Sequence, residues 1–316
     1  MFINHSPTTI SKQAQEMLQM FSLEDRNQTL PMPDDLAGWS SLRAEIETEF
    51  APISDEVTKK YKPEIVEIEL GTVPALDINP SASGPLIIYL HGGAFTVFSA
   101  RSILFCSVPV AMELSSRVFA IDYTLAPDKN WEGIIDQIIS AIKVLIDNGH
   151  QLDEMVFFGD SAGGSLASET VLKMRDKGIG MPKAVVLWSP WSDITETGDS
   201  YTILKDADPV LYYPKNLEYC ALAYALTEEQ KHPYVSPVYG DYSTGFPPTL
   251  IQAGTKEIFL SNAVRHYRAL ENAGINVELD LYEGMWHVFQ GLAWDLPESK
   301  VARQKMKKFL NYFAPI

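Results

Sequence analysis

The sequence predicts an α/β fold: a mainly parallel central sheet with helices on both faces, covered by a helical cap. Two observations predict it. From about residue 61 onward, short β-rich runs alternate with helical runs, and strands separated by crossover helices pair in parallel. The first sixty residues and the stretch from about 190 to 245 break that alternation, so both are expected to lie outside the sheet.

Residues 1–60 are polar and helix-prone, with amphipathic stretches SKQAQEMLQMF and DDLAGWSSLRAEIETEF either side of the turn-forming LPMPDD. The strand runs follow in order as EIVEIEL, PLIIYL, RVFAID, MVFFG, AVVLWS, TLIQAG and VELDLYEG. Between them stand WEGIIDQIISAIKVLIDNG, SAGGSLASETVLKMRDKG and FLSNAVRHYRALENAG, each with helical character. The aromatic and proline-rich 190–245 region reads as an insertion containing helices. The organisation expected is therefore a cap segment over 1–60 and a core over 61–316 that carries a cap insertion at about 190–245. A length of 316 residues suits one such domain.

Composition excludes several classes. Acidic residues outnumber basic ones 41 to 25, and the formal charge of −16 would repel a phosphate backbone. The densest basic run, RQKMKKF, reads as the solvated face of a last helix. Nucleic acid is thus not an expected partner. No run approaches the roughly 18 to 20 apolar residues of a spanning helix, and the N-terminal stretch lacks a basic start and a sustained apolar segment. Integral membrane association is therefore not expected, and the cytoplasm is the expected compartment; homodimerisation is left open. Cys106 and Cys220 lack metal-like spacing and read as buried free thiols. Nothing calls for a metal or an organic cofactor.

The chemistry centres on GDSAGG, residues 159–164. Ser161 lies between Gly159 and Gly163, follows MVFF and opens a helical run, which is the strand-turn-helix setting of a nucleophile elbow. A glycine-rich helix start would give the same six residues, so partners decide. The amide of Ala162 is the first candidate donor to an oxyanion, and YLHGGAF after an earlier strand offers Gly92 and Gly93 as the others. In this arrangement the chain order is serine, acid, histidine, which sets aside His5, His91 and His150. His232 lies in the insertion and His266 in mid-helix, whereas His287 directly follows the last strand. For the acid, Glu257 comes three residues past the end of TLIQAG. A glutamate favoured by the helix dipole is the plainer account of it, and Asp193, Asp208 and Asp280 are its rivals.

These segments together resemble the hormone-sensitive-lipase-like esterases of the α/β-hydrolase superfamily, the bacterial family IV group. HGGAF, DYTLAP, GDSAGG, SPWSDIT, DP at 208–209, SPVYGD, PPTLIQAGTKE and MWHVF occur in the family's order over about residues 62–313. DKNWEG stands where the family has a His-Pro-Phe-Pro-like turn. The resemblance implies the α/β-hydrolase fold, with Ser161 as nucleophile, His287 as base and Glu257 as acid, and Gly92, Gly93 and Ala162 around the oxyanion. It implies a small-molecule ester as substrate: a short-chain or small acyl ester, or a lactone. A non-catalytic binding protein on the same scaffold, or an amidase or acyltransferase using the same serine, are the alternative readings.

Overall fold

The computed structural model describes residues 6–22 and 26–315. Among the described residues, α1 (Lys12–Met20) and α2 (Leu36–Tyr61) precede the sheet. Ser11 caps α1 by accepting the Ala14 amide, and Asp35 caps α2 by accepting that of Gly38. The core then runs through β1 (Ile65–Leu70), β2 (Val73–Ile78), β3 (Leu86–Leu90), α3 (Leu104–Glu113), β4 (Arg117–Ile121), α4 (Trp131–Asp147), β5 (Met155–Asp160), α5 (Ala162–Asp176) and β6 (Ala184–Trp188). The insertion carries α6 (Ser200–Ile203) and α7 (Glu218–Tyr224). Then come β7 (Thr249–Gly254), α8 (Leu260–Asn272), β8 (Val277–Tyr282), α9 (Phe289–Leu292) and α10 (Pro297–Phe313).

The eight strands form one sheet in the order β1-β2-β4-β3-β5-β6-β7-β8. From β4 through to β8 every pairing is parallel, while β1–β2 and β2–β4 are antiparallel. Successive side chains of a strand point to opposite faces, and both faces are covered. Ile88, Leu90 and Phe157 pack with residues of α4 and α5, whereas Ile87, Tyr89, Val156 and Phe158 pack with residues of α3 and α10. This explains why the central strands read as unbroken apolar runs. It also puts the carboxyl ends of β3, β5, β6, β7 and β8 along a single edge of the sheet, the edge where parallel sheets hold their sites.

Two elements are not legible in the pattern. Strand β2, with sequence VPALDI, carries Pro74 and Asp77, both unfavourable in a strand; it forms because Gly71 at φ +69° turns the chain back on β1 and Arg117 of β4 pairs with Asp77 at 2.7 Å. Helix α3 contains Pro109, a helix breaker by local rules, yet every residue from Leu104 to Ala111 is buried, so tertiary packing overrides propensity. The basic run RQKMKKF is only partly the solvated face expected. Arg303 is fully buried, where its guanidinium grips Glu113 at 2.8 and 2.9 Å, and Met306 and Phe309 are in the core. Cys106 and Cys220 are free and buried. No helix among the described residues is long and apolar enough to cross a membrane.

Candidate active site

Ser161 occupies the sharp turn between β5 and α5 at φ +54°, ψ −123°, a conformation costly for a residue with a side chain. The backbone around it is pinned. Its amide donates to Trp188 O of β6 at 2.8 Å, and its carbonyl accepts the amide of Trp191 at 3.0 Å. The neighbouring glycines are required by space: a Cβ on Gly163 would lie 2.0 Å from Leu90 O, and one on Gly159 would lie 2.2 Å from Gly163 O. Ser161 keeps 7% of its surface exposed, and that surface opens on a cavity of about 490 Å³.

His287 lines the same cavity, placed there by the loop after β8. Its Nδ1 lies 3.1 Å from Glu257 Oε2, and its ring meets the Phe259 ring edge-on at 5.1 Å. Glu257, in the loop after β7, is fully buried. Its other oxygen, Oε1, accepts the Ser189 hydroxyl at 2.8 Å and the amide of Gly254. Burying a carboxylate is costly without such donors. Because β7 and β8 are paired in parallel, with Gly254 opposite Tyr282, the two loops leave the sheet side by side. No hydrogen bond joins Ser161 Oγ to His287 among the described residues; such contacts tighten when substrate binds.

The other carboxylates and histidines are engaged elsewhere. Asp193 pairs with Arg265 at 2.5 Å and accepts the Tyr239 hydroxyl at 3.0 Å. Asp208 accepts three backbone amides, and Asp280 accepts from Gln252 and Tyr282. His266 is enclosed between the Ser192 and Tyr242 hydroxyls, each at 2.8 Å, and burial lowers it to about 3. His232 packs on Trp131, and His91 stacks on Tyr123 at 4.3 Å. His5 lies outside the described residues.

In the loop after β3, one of the two glycines expected to face the oxyanion has its amide engaged within the protein. The amide of Gly92 is donated to Asp160 Oδ1 at 3.1 Å, and the same oxygen accepts the Tyr89 hydroxyl at 2.5 Å. Burial pushes the Asp160 carboxyl up from its ordinary value. Gly92 is thus spent on holding the loop against β5, and a Cβ there would meet Asp160 Oδ2 at 2.3 Å. The backbone amides of Gly93, Ala94 and Ala162 donate to no protein acceptor among the described residues. Gly93 is at φ +112°, where a Cβ would lie 2.2 Å from Val97 O. The free amide of Ala94 is not singled out by the motif, although Ala94 stands directly beside Gly93 in HGGAF.

Ser189 carries no motif signal. It directly follows β6 at φ +45°, donates to Glu257 and accepts the Val288 amide at 3.1 Å, so it ties both loops to the strand between them and the elbow. The cavity wall opposite comes from the segments outside the sheet: Leu42, Ile46 and Phe50 of α2, and Val210, Leu211 and Leu217 of the insertion.

Known proteins share this architecture. Residues 87–291 match the α/β-hydrolase fold family. An esterase of Acinetobacter venetianus is 32% identical over 266 residues, covering 82% of this chain and 86% of that protein. An acetyl-hydrolase of Streptomyces hygroscopicus is 31% identical over 228 residues, covering 72% and 76%. Among solved structures, a hormone-sensitive lipase from a metagenome library superposes with a TM-score of 0.86 at 27% identity, over 97% of this chain and 99% of that one. The esterase E25, at 24% identity, shares the fold with a TM-score of 0.89 over 97% and 95%. The chain belongs to the α/β-hydrolase fold family, in the branch of the hormone-sensitive-lipase-like esterases.

Proposed function

We propose that this esterase cleaves short-chain or small acyl esters by a two-step acyl transfer carried by Ser161, His287 and Glu257. The supporting observation is the 3.1 Å contact between Glu257 Oε2 and His287 Nδ1, beside a cavity that His287 and Ser161 both line. Glu257 holds the imidazole with Nε2 toward the serine. His287 takes the Ser161 proton as Oγ attacks the ester carbonyl, and returns it to the leaving alcohol; water then repeats the sequence in reverse roles and releases the acid. The negative oxygen of each tetrahedral intermediate is held by the amides of Gly93 and Ala162, with Ala94 beside them, donors that need no rearrangement when charge develops.

The cavity's apolar lining, which includes Phe50, Phe98, Phe105, Leu211 and Leu217, suits an apolar acyl or alcohol group. A volume of about 490 Å³ is in the range of a small-molecule site. A series of p-nitrophenyl esters of increasing acyl length tests the reading, run beside the matching anilide and an acceptor alcohol. The expected result is ester turnover that peaks at short chains. Turnover of the anilide alone, or acyl transfer to the alcohol in place of hydrolysis, would refute it.

A further inference from the structure

We propose that Asp208 is a positioning residue for this reaction, a single carboxylate that fixes the cavity wall and the acid loop to each other. The proposal rests on the reading of Glu257 and His287 given above. Asp208 is fully buried within the insertion between β6 and β7. Its Oδ1 accepts the amides of Val210 at 2.8 Å and Leu211 at 2.9 Å, and both of those residues line the cavity. Its Oδ2 accepts the amide of Ile258 at 2.7 Å, the residue directly after Glu257. The Asp208 carbonyl in turn receives the Arg26 guanidinium, which also donates to Leu211 O at 3.2 Å. The side chain therefore joins the insertion to the loop of the proposed acid, and the backbone carbonyl of the same residue receives the N-terminal segment.

The residue type is what this geometry demands. Donors approach from two directions at the reach of a short side chain, and only a carboxylate accepts on both oxygens; an asparagine would turn its NH₂ toward one set of N–H groups. Packing alone does not account for it. Burial pushes the carboxyl up to about 6, against the lowering effect of the three amides and of His287. A carboxyl held above its ordinary value costs stability at neutral pH, and an apolar side chain would avoid that cost. The other charges around this node are Arg26, Asp206 and Lys256, with Tyr212 facing Arg26.

The test is a double-mutant cycle of Asp208→Asn with Glu257→Gln on the full chain. Each protein is titrated with an organophosphate, so that rates refer to competent sites and a misfolded fraction drops out. Asp208→Asn is expected to lower kcat roughly 10- to 100-fold, the scale of a small misplacement of reacting groups. It should also raise KM and move the acid limb of the kcat/KM profile to lower pH. In the Glu257→Gln background it should cost little further kcat while still raising KM, because coupled residues are non-additive. Wild-type kcat and an unmoved acid limb in Asp208→Asn, with only a lowered melting temperature, would overturn the proposal, as would fully additive losses in kcat. If Glu257→Gln alone leaves kcat and the acid limb unchanged, the acid assignment fails first and this proposal falls with it. Asp208→Ala, which deletes every side-chain acceptor, should be worse than Asp208→Asn in both kcat and KM; the reverse order would also count against the proposal.

Discussion

The Ser189 hydroxyl donates to Glu257 Oε1 at 2.8 Å, so the carboxylate that meets His287 is held from behind by the end of a neighbouring strand. The Ser189 Oγ in turn accepts the Val288 amide at 3.1 Å, which makes the contact two-sided. Ser189→Ala should therefore lower kcat by about 10-fold with little change in KM, since the hydroxyl orients the acid without touching substrate. Steady-state kinetics on a short-chain ester check this; an unchanged kcat would show that Gly254 alone holds the carboxylate.

The oxyanion loop makes a second prediction. Gly93 combines φ +112° with a Cβ position 2.2 Å from Val97 O, so Gly93→Ala must move the loop. Loss of one well-placed donor costs on the order of 10²- to 10³-fold in kcat. Gly93→Ala should fall in that range while still reacting with organophosphate at a reduced rate. Near-normal kcat would mean that the donors lie elsewhere.

Chain-length preference should depend on α2. Phe50 stands edge-on to Phe98 at 4.9 Å and tilted to Phe105 at 6.2 Å, and all three line the cavity. Phe50→Ala removes a wall, so the optimum among p-nitrophenyl esters should move to longer chains, while kcat on the shortest ester changes little. An unmoved optimum would place the bound chain on the other side of the cavity.

Acid stability should carry the signature of His266. Its ordinary value is 6.5, and burial holds it at about 3 in the fold. Between those points the unfolded chain takes up a proton that the folded chain refuses, so this contribution is intact above 6.5 and is lost as pH falls. From about pH 7.5 to about pH 5 the loss is about 2 kcal/mol. Asp208, raised to about 6, acts in the opposite direction, so the comparison is with His266→Gln, which keeps the Asp208 effect. Urea unfolding at both pH values should show a shallower acid loss in the variant; parallel losses would contradict the assignment.

Much of the site was legible because the chemistry is local in sequence: Ser161 with its glycines, HGGAF and the loop of His287 each sit where a strand ends. Seven of the strands were legible too: β3, β4, β5, β6 and β7 as largely apolar runs buried on both faces, and the edge strands β1 and β8 as β-rich runs with polar residues interleaved. What escaped depends on contacts between distant segments. Pro74 disguises β2, whose pairing comes from β1 and β4. Pro109 disguises α3, which is held by burial. The hydrogen bond that occupies Gly92 comes from Asp160 on another strand, and Ser189 acquires its role only once β6 lies between the elbow and the acid loop. Neither relationship has a periodicity or a spacing to betray it.

If Ser161 forms the acyl-enzyme, that bond can be trapped. Wild-type protein is reacted with a serine-directed organophosphate, and the modified peptide is located by mass spectrometry, with Ser161→Ala treated in parallel. The expected result is a single adduct on Ser161, loss of ester turnover in step with labelling, and neither label nor more than residual turnover in Ser161→Ala. An adduct on Ser165 or Ser189, or ester turnover in Ser161→Ala at a rate near that of the wild type, would contradict it.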